Sequence, residues 1–339
     1  PYLNEIMDAF RRYYRGYGQI VPQANFEEDG QGLPEYAVSR CGAEAIEFKF
    51  GQSAKGTQPV TRLKDYDAAL KKKATGALVH PDPEDPAVRA AAERGEAPNF
   101  YAYGRLPMWD EEYLVTRIGM LRDMGLKNVY FKMAGFDPVD IERVLRIAAS
   151  AEVDVVTFDG AGGGSGYSPC KMMNEWGLPT VPLESAVCGI ARRLIREGLE
   201  LPSMVITGGF ATEDQVFKAL ALGAPCFQAV GLCRAAMAAA NSAKKVGELI
   251  EAGNIPAYLQ KYGDSKETLF ADLPDLRHLY GKEAESFPAG AIGVFSYLNR
   301  IAMGLRHFAA LNRKFDVNLL GPDDLIPLTP EAAELLAGR

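Results

Sequence analysis

The chain has 339 residues, a formal net charge of −7 and 47% hydrophobic residues, which is the composition of a globular protein. The acidic pI of about 5.3 argues against nucleic acid or an anionic membrane surface as the main partner. The sequence contains no apolar run long enough to span a membrane and no signal peptide, and its five cysteines form no C-x-x-C pair. We therefore expect a cytoplasmic protein with free thiols.

Short β-branched or aromatic segments alternate with helical segments along the chain. The predicted strands are Ala45–Phe50, Asn128–Met133, Val153–Phe158, Ser203–Thr207 and Cys226–Val230, with Pro179–Leu183 as a weaker sixth. The helices predicted with them are Glu111–Met124, Val139–Ser150, Leu183–Glu197, Val216–Leu222 and Leu232–Ala243. This alternation predicts parallel strands with helical crossovers. Because glycines or polar residues follow nearly every strand, the pattern favours a (β/α)8 TIM barrel over a doubly wound open sheet.

The predicted domain organisation is a barrel at residues 1–246 and a C-terminal helical extension at residues 247–339, most clearly helical over Gly290–Leu311. A mostly polar insertion at residues 52–110 interrupts the barrel and includes a basic helix, Arg62–Lys73. Insertions of this length are usually lids, partner surfaces or disordered segments. Six strands can be counted in the sequence, two fewer than a complete (β/α)8 barrel has. Residues 17–40 (Y-G-Q-I-V and E-Y-A-V) supply rough substitutes, or the missing piece precedes Pro1 or lies on another chain.

Five glycines lie within the seven positions Gly160–Gly166, directly after a predicted strand. Glycine costs roughly 0.5–1 kcal/mol relative to alanine in regular structure, so this loop is either a flexible spacer or a place of close approach to a ligand. A dinucleotide fingerprint fails because the sixth position from Gly160 is Ser165, and no Walker lysine is present. The flanking Asp159 and the S-x-Y-S-P continuation favour a planar or anionic ligand over a spacer.

Two further glycine turns come after the next predicted strands. Gly208 and Gly209 precede a capping-box pattern that begins at Thr212, and Gly231 ends the strand that follows. In barrels, the loops after the last two strands often hold a phosphate with backbone N–H groups. The pattern therefore predicts a phosphate site, with plain turn formation as the alternative. Glu213 and Asp214 would repel a phosphate, so we expect them on the solvent side of the helix.

Lysines occur within two of the apolar strands. Lys132 lies in V-Y-F-K-M, and Lys49 alternates with phenylalanines in E-F-K-F. An unpaired ammonium is costly to bury. A lysine that points into a barrel mouth offers a cation to an anionic ligand, whereas a lysine at a sheet edge snorkels to water. Either interpretation fits the sequence at both positions.

Taken together, Lys132 and three motifs resemble the FMN-binding domain of glutamate synthase, and especially its single-domain relatives of the N-methylglutamate synthase type. The motifs are A-I-E-F-K-F-G-Q-S-A-K-G (45–56), D-G-A-G-G-G-S-G-Y-S-P (159–169) and V-I-T-G-G-F-A-T (205–212). The resemblance extends over residues 36–245. It implies an FMN-binding (β/α)8 barrel and an oxidoreductase that acts on an imine, formed from a 2-oxo acid and ammonia or an amine, or on the corresponding amino acid.

The resemblance also implies roles for individual residues. Lys132 would lie near the N1–C2=O edge of the flavin, and Lys55 would meet a substrate carboxylate, so these two are the candidate catalytic residues. Gln52 would hydrogen-bond the isoalloxazine, glycines would let the backbone approach the flavin, and backbone amides would hold the phosphate. The implied cofactor-binding set is Gln52, Lys132, Asp159, Gly162, Gly163, Gly164, Gly208, Gly209, Gly231 and Leu232.

The sequence departs from the family in ways that matter for function. Only Cys233 stands where glutamate synthase carries a cysteine-rich segment, so we expect no iron–sulfur cluster, and no histidine has metal-site spacing. The substrate loop has changed to A-K-G-T-Q-P-V (54–60), which places a glutamate-type substrate in question. A glutaminase domain is also missing, so we expect an electron- or amine-donating partner subunit in an oligomer. The alternatives are a non-redox barrel that binds a phosphorylated substrate and a catalytically inactive barrel subunit.

Overall fold

The computed structural model describes residues 2–51, 60–103, 110–135, 137–164 and 168–337. These residues form two compact units, of which unit 1 runs to Gly208 and includes the C-terminal residues from Glu334, and unit 2 is Gly209–Ala333. The strands of the described ranges are β1 (Gln23–Asn25), β2 (Ala45–Lys49), β3 (Val60–Arg62), β4 (Leu78–His80), β5 (Tyr101–Tyr103), β6 (Asn128–Ala134), β7 (Val155–Asp159), β8 (Ser203–Thr207) and β9 (Phe227–Gly231).

Helices separate most of these strands. The α-helices are α1 (Tyr2–Tyr13), α2 (Phe26–Gly30), α3 (Leu33–Cys41), α4 (Tyr66–Ala74), α5 (Pro86–Glu93), α6 (Glu111–Asp123), α7 (Pro138–Ser150), α8 (Thr180–Arg196), α9 (Glu213–Gly223), α10 (Arg234–Glu251), α11 (Ala257–Gln260), α12 (Lys266–Leu269), α13 (Leu273–Tyr280), α14 (Ala289–Leu311) and α15 (Pro330–Ala337). Short 3-10 turns cover Ala161–Gly163, Gly281–Ser286, Val317–Leu319 and Pro322–Asp324, and a π-helical turn covers Met172–Trp176.

The central sheet of unit 1 is parallel, in the order β1-β2-β6-β7-β8. α6, α7 and α8 connect its successive strands, and α9, β9 and α10 continue the alternation along the chain in unit 2. The fold is therefore the predicted α/β class, with the strand–helix repeat of a (β/α)8 barrel.

One face of this sheet is apolar and buried. Phe131 of β6, Val156 and Phe158 of β7, and Ile206 of β8 are completely inaccessible to solvent. Since side chains alternate along a strand, the residues between them lie on the opposite face, which carries Lys132 and Thr157. The sheet is thus packed against helices on one side and presents polar residues on the other, as the interior of a barrel mouth would.

Three of the predicted strand segments are wrong. Pro179–Leu183 instead forms the start of α8. Pro179 directly precedes the first helical residue, Thr180. Pro182 lies in the first turn, where a residue without an N–H is tolerated because no intrahelical hydrogen bond is made there. The segment E-Y-A-V lies within α3, whose second residue is Pro34. The segment Y-G-Q-I-V (17–21) forms no strand either. The strand that residues 17–40 do supply is β1, which begins at Gln23 and pairs with β2 in parallel.

Residues 60–103, within the insertion, form a small structure of their own. β3, β5 and β4 make an antiparallel sheet, with β5 in the centre. Phe100 and Ala102 pack with Ala69 of α4 in a small apolar core. The predicted basic helix begins later than expected, at Tyr66, because Arg62 belongs to β3. Whether the insertion acts as a lid or a partner surface stays a proposal.

Small residues govern helix packing in unit 2. A Cβ atom at Gly247 of α10 would lie 2.6 Å from Ala289 Cβ, and one at Gly293 of α14 would lie 2.8 Å from the Ala239 carbonyl oxygen. The backbones of α10 and α14 therefore approach closely only because these positions are glycine. The boundary expected at residue 246 falls within α10, and the division into barrel and helical extension stays a proposal.

A buried ionic cluster fixes α6 against α2 and α3 in unit 1. Arg117 of α6 donates to Asp29 Oδ1 from Nε at 3.0 Å and from Nη2 at 2.8 Å, and to Glu35 Oε1 from Nη1 at 2.5 Å. The side chains of Arg117 and Asp29 are only 9% and 5% exposed. Hydrogen bonding to the Arg117 guanidinium holds the pKa of Glu35 below its ordinary value. Arg117 and Asp29 therefore form a buried ion pair, and Glu35, whose side chain is 36% exposed, lies at its edge.

Tyr113, one turn before Arg117, completes this cluster and gives a testable contribution to stability. Its hydroxyl donates to Asp29 Oδ2 at 2.8 Å, and burial together with that carboxylate raises the pKa of Tyr113 to about 12. We expect Tyr113→Phe to lower the free energy of unfolding by about 1.5 kcal/mol, the lower range for a hydrogen bond to a charged group. Because the folded pKa is raised, this contribution is complete below the ordinary value of 10.0 and is lost as the pH rises through about 12.

Denaturant unfolding at neutral pH and at successively more alkaline pH measures this difference. Tyr258→Phe is the matched control, because Tyr258 is 69% exposed. A Tyr113→Phe variant as stable as the Tyr258→Phe variant at neutral pH would contradict the contribution assigned to the Asp29 hydrogen bond.

Membrane-spanning helices, metal-binding clusters and disulfides bear on the class of protein. No helix of the described residues has the length and hydropathy needed to cross a membrane. Within the same ranges, no group of three or more His, Cys, Asp or Glu residues is arranged to hold a metal ion. All five cysteines are free thiols, at positions Cys41, Cys170, Cys188, Cys226 and Cys233.

Candidate functional site

The polar face of the unit 1 sheet carries a row of side chains at one level. Lys49 of β2 is in register with Lys132 of β6, which is in register with Thr157 of β7. Side chains in register on neighbouring parallel strands point to the same face, so the two lysines stand next to each other. The strand β6 lies between β2 and β7, and Lys132 therefore does not snorkel from a sheet edge.

Lys132 faces a carboxylate at the carboxyl end of the neighbouring strand. Its Nζ lies 4.0 Å from Asp159 Oδ2, and the side chains of Lys132 and Asp159 are 19% and 3% exposed. Attraction to Asp159 offsets part of the cost of removing the ammonium from water. The two residues predicted to share the site are thus brought together, with the cation accessible at the level where β7 ends.

A second polar layer lies toward the amino ends of the same strands. Glu47 of β2 accepts hydrogen bonds from Gln23 Nε2 and, at 3.5 Å, from Thr157 Oγ1. Tyr130 donates its hydroxyl to Gln19 Oε1 at 2.7 Å, and burial together with the carboxylates of Asp154 and Glu47 raises the pKa of Tyr130. Tyr130 and Glu47 are in register and lie on the same face as the two lysines, two residues closer to the amino ends of their strands.

The glycine cluster begins at the end of β7 and turns tightly. The N–H of Gly160 donates to the Thr207 carbonyl at 2.8 Å, and the N–H of Gly163 donates back to the Gly160 carbonyl at 3.0 Å. A Cβ atom at Gly162 would lie 2.5 Å from the Gly208 carbonyl oxygen, and one at Gly163 would lie 2.6 Å from Asp159 Oδ1. The protein's own atoms therefore fill the positions where side chains would begin. This crowding accounts for two of the glycines before any cofactor is considered.

Gly208 meets this turn from the end of β8. Its φ of +138° belongs to the left-handed region, and a Cβ atom there would lie 2.9 Å from both the N and the Cα of Gly160. Thr180, the first residue of α8, donates its hydroxyl to the Gly208 carbonyl at 2.6 Å. The two glycine turns are thus packed against each other, with Thr180 between them.

Unit 2 contains the remaining predicted phosphate-binding residues. Gly209 has a φ of +97° and precedes α9, while Gly231 ends β9 and Leu232 follows it before α10. The first two residues of α9 are Glu213 and Asp214. Asp214 is paired with Lys218 at 2.9 Å and is 44% exposed, as expected for the solvent side. Glu213 instead packs against α14, since a Cβ atom at Gly304 would lie 2.8 Å from Glu213 Cβ.

α14 also holds the loop that leads into α9. Tyr297 of α14 donates its hydroxyl to the Ala211 carbonyl at 2.9 Å, and burial raises the pKa of Tyr297. The side chain of Gln215 accepts from the N–H groups of Ala211 and Thr212 at 2.8 and 3.2 Å, which is one half of the capping box predicted from the sequence. The turn that would carry a phosphate is therefore anchored within unit 2.

The remaining predicted site residues are Gln52, Lys55 and Gly164. Gln52 and Lys55 lie outside the described residues, so their roles stay predictions. Gly164 is extended, with φ −58° and ψ 162°, and ends the 3-10 turn Ala161–Gly163. The joint grip of Gly208, Gly209, Gly231 and Leu232 on one phosphate stays a prediction as well.

Sequence reasoning missed Thr180, because Pro179–Leu183 was assigned to a strand. The signal was present: Pro179 and Pro182 flank Thr180 and Val181, and prolines at this spacing are typical of a helix start. With the helix start at residue 180, the Thr180 hydroxyl falls beside the ends of β7 and β8.

Comparisons with known proteins agree with the resemblance seen in the sequence. Residues 105–245 match a family described as the conserved region in glutamate synthase. An archaeal-type glutamate synthase (NADPH) of Dehalococcoides mccartyi is 39% identical over 90 residues, which are 26% of this chain and 17% of that protein. The archaeal glutamate synthase (NADPH) of Methanocaldococcus jannaschii is 38% identical over 92 residues, 27% of this chain and 17% of that protein. The match thus spans less than a fifth of these relatives.

Among solved structures, a variant of flavocytochrome b2 with sulfite bound superposes with a TM-score of 0.50 and 15% identity, covering 99% of this chain and 59% of that one. A similar variant with pyruvate bound gives a TM-score of 0.50 and 14% identity, covering 97% and 58%. At this identity the likeness concerns the fold, and it agrees with the barrel class predicted above. Residues 105–245, less than half of the chain, are thus similar to the conserved region of glutamate synthase.

Proposed function

We propose that this chain is the FMN-binding barrel of an oxidoreductase of the glutamate synthase type. Its substrate would be an imine formed from a 2-oxo acid and ammonia or an amine, or the corresponding amino acid in the reverse direction. The observation that carries the proposal is the partly buried Lys132 ammonium, 4.0 Å from Asp159 at the carboxyl ends of β6 and β7. Active sites of barrel enzymes lie at this end of the strands.

The donor groups of the site suit the phosphate of FMN and the negative charge that its ring carries when reduced. Lys132 offers an ammonium at the level where the ring would lie, and Lys49 in the neighbouring register position adds a second. The turn at Gly208 and Gly209, both with positive φ, precedes α9, so its backbone N–H groups suit a phosphate. These residues fit the cofactor, and FMN when bound supplies the capacity for hydride transfer.

The residues of the chain would bind and orient the reacting groups. Lys132 would stabilise negative charge at the ring edge, with an interaction of up to about 4 kcal/mol at 4 Å and an effective dielectric constant of about 20. Asp159 would keep that ammonium in position. The small side chain of Thr157, in register with Lys132, would leave room above the sheet for a planar ligand.

The proposal includes a partner that supplies electrons or the amine. No dinucleotide fingerprint is present in the sequence to bind a nicotinamide cofactor, whereas the curated relatives are named as NADPH enzymes. We propose that a partner subunit donates electrons or the amine, within an oligomer. The free thiols suit a cytoplasmic location, which we propose with it.

An absorbance spectrum of the purified protein, before and after reconstitution with FMN, tests the proposal. We expect a yellow protein that releases a compound with the mass of FMN, and that turns over a 2-oxo acid with ammonia or methylamine when an artificial donor supplies electrons. A protein that binds FMN but turns over no imine or amino acid would support the inactive-subunit alternative. A protein that binds phosphate compounds but no flavin would overturn the proposal in favour of a non-redox barrel.

Replacing Lys132 tests the residue that carries the proposal. We expect Lys132→Met to lower the reduction potential of bound FMN, because the variant no longer stabilises the additional negative charge of the reduced ring. Lys127→Met is the matched control, since Lys127 directly precedes β6, is 65% exposed and pairs with Glu44. Redox titration with a reference dye measures both variants. An unchanged potential in Lys132→Met would contradict the assigned role.

A further inference from the structure

Thr180 contacts the glycines at the ends of β7 and β8, Gly160 and Gly208. Its hydroxyl donates to the Gly208 carbonyl at 2.6 Å, and the N–H of Ala161 donates to the carbonyl of Leu178 at 2.8 Å. The start of α8 is therefore bonded both to the turn after β7 and to the end of β8.

The Thr180 side chain also fills the space between these turns. A Cβ atom at Gly160 would overlap Thr180 Oγ1 and would lie 2.6 Å from Thr180 Cα. A Cβ atom at Gly208 would overlap the same hydroxyl. Glycine at both positions thus leaves room for the Thr180 side chain. The close packing around it holds the Thr180 hydroxyl in one position.

A fixed carbonyl fixes the following N–H group. Since the peptide bond is planar and trans, its C=O and N–H point in opposite directions. Holding the Gly208 carbonyl toward Thr180 therefore aims the next N–H along the chain, that of Gly209, away from α8. That N–H is one of the donors that the proposed function assigns to the FMN phosphate.

We propose that Thr180 is a positioning residue that orients the Gly208–Gly209 peptide toward the phosphate of FMN. The inference rests on the proposed function and adds to it a residue that the family motifs did not indicate. It assigns to Thr180 an effect on phosphate affinity and none on recognition of the isoalloxazine ring. Riboflavin, which has the same ring without the phosphate, separates the two effects.

The test compares the dissociation constants of FMN and riboflavin in the whole chain, by fluorescence quenching. We expect Thr180→Val to reduce the preference for FMN over riboflavin about fivefold, equivalent to about 1 kcal/mol for one lost hydrogen bond. Thr180→Ser, which keeps the hydroxyl, should retain the wild-type preference. Because valine places a methyl group close to the Gly208 carbonyl, Thr180→Ala serves as a second variant without a hydroxyl, and we expect the same loss from it.

The outcomes separate this inference from the proposed function. A reduced preference in both hydroxyl-free variants, with retention in Thr180→Ser, supports the inference. An unchanged preference overturns it, even where both affinities fall together, because a general loss of structure weakens FMN and riboflavin alike. A wild-type chain that binds neither compound overturns the proposed function, and with it the assignment of Thr180 to a flavin phosphate. Faster hydrogen exchange over residues 205–212 in Thr180→Ala would then still identify Thr180 as the residue that holds the turn.

Discussion

Replacing Arg117 with methionine is expected to lower the free energy of unfolding by about 4 kcal/mol, the usual effect of removing one partner from a buried ion pair. The variant would leave Asp29, with its side chain 5% exposed, without the guanidinium that donates to it from two nitrogens. Methionine retains most of the aliphatic volume, so the loss arises from an unpaired buried carboxylate and not from a cavity. Equilibrium unfolding in urea at neutral pH measures it.

Two further variants isolate the charge effect. Arg122→Met lies on the same helix, but Arg122 is 31% exposed and donates to the carbonyls of Ala151 and Glu152, so we expect a loss of about 1 kcal/mol. Arg117→Met combined with Asp29→Asn removes the stranded charge and keeps an acceptor for Tyr113. We expect this pair to recover about 2 kcal/mol relative to Arg117→Met alone. If the double variant is less stable than the single one, the argument from the unpaired carboxylate is wrong.

Local sequence patterns predicted the strands and helices of the central sheet, because apolar runs and helix caps are formed by residues close together in the sequence. β8 was assigned with its observed bounds, and α7 begins as expected after Asp137, whose side chain accepts from the Val139 N–H. The errors lie where local preference and tertiary packing differ. Residues 179–183 contain β-formers that favour a strand, whereas Pro179 and Pro182 mark a helix start, and in the folded protein Leu183 is buried beside Gly135.

The site was predictable in composition but not in contacts. The strand context of Lys132 allowed either a cation in a barrel mouth or a lysine at a sheet edge, and the position of β6 between β2 and β7 removes the second alternative. The alternation within β7 places Asp159 on the same face as Thr157, the register partner of Lys132. The 4.0 Å separation of Lys132 and Asp159 depends on the register between β6 and β7, which no local pattern specifies. The glycines at 160, 162 and 208 illustrate the same limit. Their density indicated close approach, yet the atoms that approach Gly162 and Gly160 belong to Gly208 and Thr180, which are distant in sequence.

Gly208→Ala is expected to lower the free energy of unfolding by about 4 kcal/mol, the sum of two separate costs. Its φ of +138° strains any residue with a Cβ atom, at about 1–3 kcal/mol. The added methyl group would also lie 2.9 Å from backbone atoms of Gly160, and overpacking of this kind costs about 1–3 kcal/mol. Thermal and urea unfolding of the variant measure the total.

Three other glycines separate the two costs. Gly198 has a φ of +93° and open space around its Cβ position, so Gly198→Ala should show the strain alone, about 1–2 kcal/mol. Gly162 is crowded by the Gly208 carbonyl without a positive φ, so Gly162→Ala should show the crowding alone, about 2 kcal/mol. Gly119 is neither strained nor crowded within α6, and Gly119→Ala should stabilise the protein by about 0.5–1 kcal/mol.

Measuring the same series with and without added FMN decides why the glycines are needed. Since the atoms that crowd Gly162 and Gly208 belong to the protein itself, their alanine variants should lose stability equally in both conditions, apart from any change in FMN binding energy. Suppose that Gly208→Ala is as stable as Gly198→Ala without FMN and is less stable than Gly198→Ala only when FMN is added. Crowding between the two turns is then not the reason why position 208 needs glycine. The glycines would then be required by the cofactor alone, as the sequence first suggested.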